Sequence, residues 1–199
     1  MRSDLRIIAD LVNPGARVLD LGCGEGDLLA YLKDNKNVNG YGLEIEPGNI
    51  TTCIRKGVNV IEQDLDAGLH NFEADSFDMV VMTETLQSVK APHELLDEML
   101  RIGRECIVTF PNFGYWRCRL YLAARGRMPV SSHLPHNWYD TPNIHLCTFV
   151  DFERLCQARG FDIIERFVVD EDHSNRRLMN QFPNFFGAIA FYRLGRPRS

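Results

Sequence analysis

Residues 18–27 read V-L-D-L-G-C-G-E-G-D, an apolar run that stops in three alternating glycines before a helical pattern begins. A strand that ends in a glycine-rich turn and opens a helix is the first unit of an open parallel sheet, because the glycines let the chain reverse tightly and let a ligand approach the backbone. This segment therefore limits the chain to α/β architectures with a ligand crevice at the carboxyl ends of the strands.

The flanking sequence continues the alternation. Residues 16–21, 40–44, 58–62, 77–82 and 105–110 read as strands, and residues 27–33, 48–56, 92–101 and 151–159 as helices. Pro92 suits a first helical turn, and Gly160 is a natural left-handed stop. The last two strands, 161–169 and 186–194, have only a polar loop between them, which leaves no room for a helical crossover and makes them an antiparallel pair. The expectation is a single α/β domain over residues 1–199: a Rossmann-like, mostly parallel sheet with an antiparallel C-terminal strand and helices on both faces.

With 199 residues and 45% hydrophobic content, one core is expected. The first residues lack the pattern of a secretory leader and no run is long enough to span a membrane, so the reading is a cytoplasmic protein. Six cysteines stand singly with no C-x-x-C pair, as in reduced cytosolic proteins. The net charge of −5 is unevenly spread: residues 1–110 hold 10 Lys and Arg against 19 Asp and Glu, whereas residues 111–199 hold 12 against 8. The two halves are suited to different ligands.

The glycine turn departs from the dinucleotide fingerprint, because Asp27 stands where the third glycine of G-x-G-x-x-G is wanted. Asp20, Glu25 and Asp27 crowd the turn with carboxylates, which repel a pyrophosphate but suit a ligand bearing an ammonium and a sulfonium group. That charge favours S-adenosylmethionine over NAD. About twenty residues on, Glu44 ends the second strand and is placed to accept the ribose hydroxyls. Cys23 reads as packing, with no histidine or second cysteine adjacent in sequence to activate it.

From residue 16 to residue 194 the chain resembles the class I S-adenosylmethionine-dependent methyltransferases. The resemblance implies a seven-stranded sheet of that fold, with S-adenosylmethionine or S-adenosylhomocysteine held by Asp20, Gly22, Cys23, Gly24, Glu44, Ile45, Asp64, Leu65 and Thr83. It gives Asp64 a place near the adenine amino group, and it sets Thr83 and Glu84 beside the methionine end. Many relatives carry a histidine where this chain has Gln87, so no base is evident there and no catalytic residue is assigned. Methyl transfer from a sulfonium needs mainly alignment and desolvation, so an enzymatic role stays open.

Residues 112–149 form an insertion between the fifth strand and the next helix, and are expected to be a lid or a docking surface. Arg117, Arg119, Arg125 and Arg127 are interleaved there with Tyr115, Trp116, Tyr121, Trp138 and Tyr139. Four arginines on an acidic chain make a weak footprint for nucleic acid, and His133, His136, His145 and Cys147 match no structural-zinc spacing; neither nucleic acid nor metal is expected. The runs P-N-F-G-Y-W-R, G-R-M-P-V and W-Y-D-T-P-N-I-H are similar to the MetW family of methionine biosynthesis proteins. That similarity implies a protein working with homoserine O-acyltransferase as an accessory or regulatory chain. The alternative left open is a methyltransferase on an unidentified small-molecule or protein acceptor.

Overall fold

The computed structural model describes residues 3–131, 133–169 and 181–196. Seven strands form one sheet in the order β3-β2-β1-β4-β5-β7-β6. They are β1 (Arg17–Leu21), β2 (Asn39–Glu44), β3 (Asn59–Glu62), β4 (Phe77–Thr83), β5 (Gly103–Pro111), β6 (Asp162–Val169) and β7 (Ile189–Gly195). The pairings β1–β2, β2–β3, β1–β4 and β4–β5 are parallel, while β7 runs antiparallel to both β5 and β6. The expected class I methyltransferase fold with one antiparallel C-terminal strand is present.

The central strands are apolar on both faces because helices cover both. Four of the five β1 residues are buried, and so are Met79–Met82 of β4. On one face Leu19, Leu21, Met82 and Phe110 pack with α4 (Pro92–Ile102) and α6 (Phe149–Arg159). There Phe110, Phe149, Phe152 and Tyr192 form an aromatic cluster with ring centroids 4.6–6.5 Å apart. On the other face Val18, Val81, Ile107 and Phe191 pack against α1 (Ser3–Leu11), α2 (Asp27–Lys36) and Cys53 of α3 (Pro47–Arg55).

The helix α1 was not among the elements drawn from the sequence, although Leu5, Ile8, Ala9 and Val12 lie at the spacing of one helical face and are all buried. Two further elements differ from expectation. The last strand begins at Ile189 and not at residue 186, because Pro183 starts a four-residue helix, α7 (Pro183–Phe186). The insertion carries a helix of its own, α5 (Trp116–Arg125), which stops at Gly126 in a left-handed conformation. Gly160 ends α6 in the same way, as the sequence led us to expect. Among the described residues no helix is long and apolar enough to cross a membrane.

Candidate functional site

From β1 the chain winds outward through β2 to β3, then returns to lay β4 on the other side of β1. The order of strands reverses between β1 and β4, and open sheets of this kind part there to leave a crevice at the carboxyl ends. The register pairs Leu21 with Met82, which sets Gly22 and Thr83 side by side at that crevice. A cleft of about 340 Å³ opens between them, lined by Leu5, Asp20, Gly22, Cys23, Gly24, Glu25, Asp27, Leu28, Thr83 and Glu84. Five of the residues assigned from the sequence, Asp20, Gly22, Cys23, Gly24 and Thr83, thus meet on one wall. Leu5 and Leu28 complete it as apolar neighbours that motif reading missed.

The amides of Gly22 and Cys23 both donate to the Leu43 carbonyl, at 2.9 and 3.0 Å, so the turn is pinned to β2. At Gly22, with φ +70°, a Cβ would stand 2.7 Å from Thr85 Oγ1. At Gly24, with φ +55°, a Cβ would meet nothing within 4 Å. Both positions need a left-handed backbone, but only Gly24 faces open space on its Cα side, while its amide and carbonyl are taken by Glu44 and Cys53.

Asp20 is only 2% exposed, and among the described residues its Oδ1 has no hydrogen-bond partner. Burial first, and the neighbouring Glu44 second, push its carboxyl up to about 7. Glu44 is also buried, but it is satisfied: Oε2 accepts from the Gly24 amide at 2.8 Å, and Oε1 accepts from the Ile45 and Glu46 amides at 2.8 and 2.9 Å. On the rim, Lys56 pairs with Asp27 and lies 3.6 Å from Glu25. The carboxylates inferred from the motif are therefore of three kinds: one buried and unmatched among the described residues, one buried and held by three backbone amides, and two partly neutralised at the surface.

The remaining assigned residues lie on the same edge of the sheet but outside this cleft. Ile45 is exposed just beyond β2. Asp64 is exposed after β3 and spends its carboxylate on the Asp66 amide at 2.9 Å, capping a short 3₁₀ turn. Leu65 lines a neighbouring cleft of about 420 Å³ with Asp66, Lys90 and Glu94 among others. The reading of Cys23 needs one correction. No second cysteine is near it in sequence, but the fold brings Cys53 Sγ to 3.9 Å from Cys23 Sγ, and Cys53 also donates to the Gly24 carbonyl at 3.2 Å. Burial raises both thiols above their ordinary range, Cys23 the more strongly, so the pair is packed and protonated.

Beyond β4, Glu84 adopts φ +50°, with its amide donating to Thr109 at the carbonyl and at Oγ1, both 3.0 Å. Gln87 is buried and donates from Nε2 to the Glu84 carbonyl at 2.6 Å. Its own carbonyl accepts from the Ile144 and His145 amides at 2.9 and 3.0 Å, which ties the insertion to the loop that borders the cleft. Within the insertion the two tryptophans diverge. Trp116 is half-buried against Tyr115 and its cluster with Leu134 and Ala188, while Trp138 and Tyr139 are 75% and 71% exposed. Among the described residues, His133, His136, His145 and Cys147 are not gathered into a group of the kind that holds a metal ion.

Solved structures resemble this fold closely at low identity. A methyltransferase dependent on S-adenosylmethionine from Mesorhizobium loti superposes with a TM-score of 0.70 at 17% identity, over 96% of this chain and 95% of its own. Phosphoethanolamine N-methyltransferase 2 of Haemonchus contortus, in complex with S-adenosyl-L-methionine, gives 0.70 at 15%, over 98% of this chain and 52% of its own. The [4+2]-cyclase SpnF gives 0.69 at 16%, over 98% and 81%, so the shared architecture by itself fixes no reaction. In sequence, the bifunctional methionine biosynthesis protein MetXA/MetW of Rhodopirellula baltica is 36% identical over 205 residues, covering 97% of this chain. The chain spans about a third of the length of that relative. Residues 2–194 match the family described as methionine biosynthesis protein MetW. With nearly its whole length matched, and with the glycine turn, the methyltransferase-like sheet and the insertion all present, the chain belongs to the MetW family.

Proposed function

We propose that the cleft binds S-adenosylmethionine or S-adenosylhomocysteine, and that the chain serves methionine biosynthesis as an accessory or regulatory partner of homoserine O-acyltransferase. The observation that carries the ligand reading is the Asp20 carboxylate, buried with one oxygen unmatched beside the open face of Gly24. A buried acceptor without a donor is costly, and an ammonium-bearing ligand in the cleft supplies the missing partner. Asp20, the Gly22–Gly24 turn and Thr83 would hold such a ligand at its amino-acid end. Glu44, Ile45, Asp64 and Leu65 follow along the strand ends toward its nucleoside.

The partner reading is supported by the relative in which a MetW segment is joined to MetXA in one chain. Fusion turns association into an intramolecular event and favours modules that act together. The insertion 112–149 is the surface we assign to that contact, since it presents Trp138 and Tyr139 to solvent, and exposed aromatics are frequent anchors of interfaces. A ligand that binds the free and the partnered chain unequally would adjust the acyltransferase.

Calorimetry with each adenosyl ligand, followed by co-purification with homoserine O-acyltransferase and an acylation assay with and without this chain, tests both halves. We expect binding, complex formation and altered acylation. Absence of heat and of thermal shift with both ligands would remove the ligand assignment. Transfer of a labelled methyl group to an acceptor, with no effect on acylation, would make the chain a methyltransferase.

A further inference from the structure

The insertion holds four arginines, Arg117, Arg119, Arg125 and Arg127, against one acid, Asp140, while the rest of the chain holds 18 Lys and Arg against 26 Asp and Glu. Three of the arginines belong to α5, whose ten residues contain no carboxylate. Arg117 stands in the first turn, where the field of the helix favours an acid, and no acid four residues away supports any of the three. A helix of this length is marginal in water on its own and is held by what its sides pack against. In α5 only Cys118 is buried, with Trp116 half-buried.

Four of the exposed residues form one face. Arg117, Leu120, Tyr121 and Ala124 follow the i, i+3, i+4, i+7 spacing of a single helical stripe, and all four are exposed, Leu120 by 58% and Tyr121 by 41%. Beside them a groove of about 380 Å³ runs between α5 and the segment that follows it, lined by Arg117, Tyr121, Pro129 and Val130 among others. Val130 is itself exposed, so the apolar surface continues across the groove. An apolar face framed by arginines is complementary to an apolar patch rimmed with carboxylates. Burying the centre supplies affinity, and the opposite charges supply orientation and speed of encounter. The relative that joins a MetW segment to MetXA in one chain favours that enzyme over a second copy as the occupant.

On the reading that the insertion meets homoserine O-acyltransferase, we infer that the α5 face of Arg117, Leu120, Tyr121 and Ala124 is the contact element, seated on an apolar patch of that enzyme edged by aspartate and glutamate. Docking covers the groove and brings carboxylates to a helix that contains none. It also steadies a helix that its own domain packs mainly through Cys118 and Trp116.

Purified chain and purified homoserine O-acyltransferase, mixed at low and at high salt and followed by calorimetry and amide hydrogen exchange, test this. Complex formation is expected to weaken about tenfold or more from low to high salt. The amides of α5 are expected to exchange more slowly in the complex. Leu120→Ser combined with Tyr121→Ser should weaken binding by about a hundredfold, and Arg125→Gln combined with Arg127→Gln by about three- to tenfold through slower association, with the melting temperature kept in each. Leu122→Ser, on the same helix but off this face, should bind as the wild type does. Unprotected α5 amides in a complex that still forms, binding indifferent to salt, or equal losses from Leu122→Ser and the Leu120 and Tyr121 pair would overturn the assignment while leaving the partnership intact. A wild-type homodimer that the same pair of substitutions splits would give the face to a second copy and overturn it as well. No complex with the wild type at either salt would remove the partnership on which the inference rests. Should the double variant not fold, the exchange and the salt dependence of the wild type still decide the matter.

Discussion

Glu44 accepts the amide hydrogen of Gly24 at 2.8 Å, so a carboxylate at the end of one strand holds the glycine turn that follows its neighbour. The bond spans twenty residues of sequence and crosses from β2 to the loop after β1. It gives Glu44 a structural task alongside the ribose contact proposed for it, because a ligand bound there would meet a turn whose shape this side chain has already set.

Replacing Glu44 should separate the two tasks. Glu44→Ala leaves three backbone amides without their acceptor and is expected to weaken the adenosyl ligand by about 1.5–3 kcal/mol, the scale of hydrogen bonds to a charged group, while lowering the melting temperature. Glu44→Gln keeps an acceptor oxygen and should recover much of the stability but less of the affinity. Calorimetry beside a thermal melt distinguishes them; equal affinity in all three proteins would show that Glu44 serves only the fold.

Asp20 makes stability depend on pH. Its carboxyl rises from 3.8 to about 7 on folding, so between those values the unfolded chain has released a proton that the folded chain still holds. Stability contributed by that proton is present at low pH and is lost as pH rises through about 7. Above it, the ligand-free wild type carries a buried unmatched anion, and Asp20→Asn is expected to be more stable by on the order of 2–4 kcal/mol. Denaturant melts at several pH values should show the gap closing toward acid. A gap that widens toward acid would contradict the assignment.

The glycines of the turn should fail in different ways. Gly22→Ala and Gly24→Ala each place a side chain on left-handed backbone, which costs about 1–2 kcal/mol. Only Gly22→Ala must also displace Thr85, whose Oγ1 stands 2.7 Å from the new Cβ, and adding Thr85→Ala should restore part of that loss. Gly24→Ala meets no protein atom and should chiefly obstruct the ligand. Melts on the single and double variants, with affinity measured on each, check the order. Additive losses for the Gly22–Thr85 pair would show that the two do not press on each other.

Within the insertion, Trp138→Ala and Tyr139→Ala are expected to keep the melting temperature and the ligand affinity but lose co-purification with the acyltransferase, since both side chains are largely exposed. Trp116→Ala should instead cost about 1–3 kcal/mol of stability, because it packs on Tyr115 and supports Leu134 and Ala188. Undiminished complex formation by the Trp138 and Tyr139 variants would move the interface elsewhere.

The glycine turn and the strands around it were legible because one local pattern, a buried strand, three glycines and a helix, carries both the fold and the ligand edge. The helix α5 was not, because in W-R-C-R-L-Y-L-A-A-R only Cys118 is buried and the apolar residues follow no single face. The start of β7 was misplaced because Phe186 reads as a strand residue, whereas Pro183 three positions earlier commits the chain to a turn of helix. Cys53 beside Cys23, and Thr85 against Gly22, are contacts between segments distant in sequence, which spacing alone does not report. Asp64 follows β3, and that its carboxylate caps a 3₁₀ turn follows from the course of the loop, which the motif does not report.

The insertion leaves and rejoins the sheet through one gate: Asn112 bridges to Cys147, and the Phe113 amide donates to the Cys147 carbonyl at 2.9 Å. A loop whose two ends already touch can lengthen, shorten or change its contents without altering the span the scaffold must close, and the entropy of closing it grows only slowly with length. Its composition can therefore change to suit a new binding face without moving the crevice at β1 and β4.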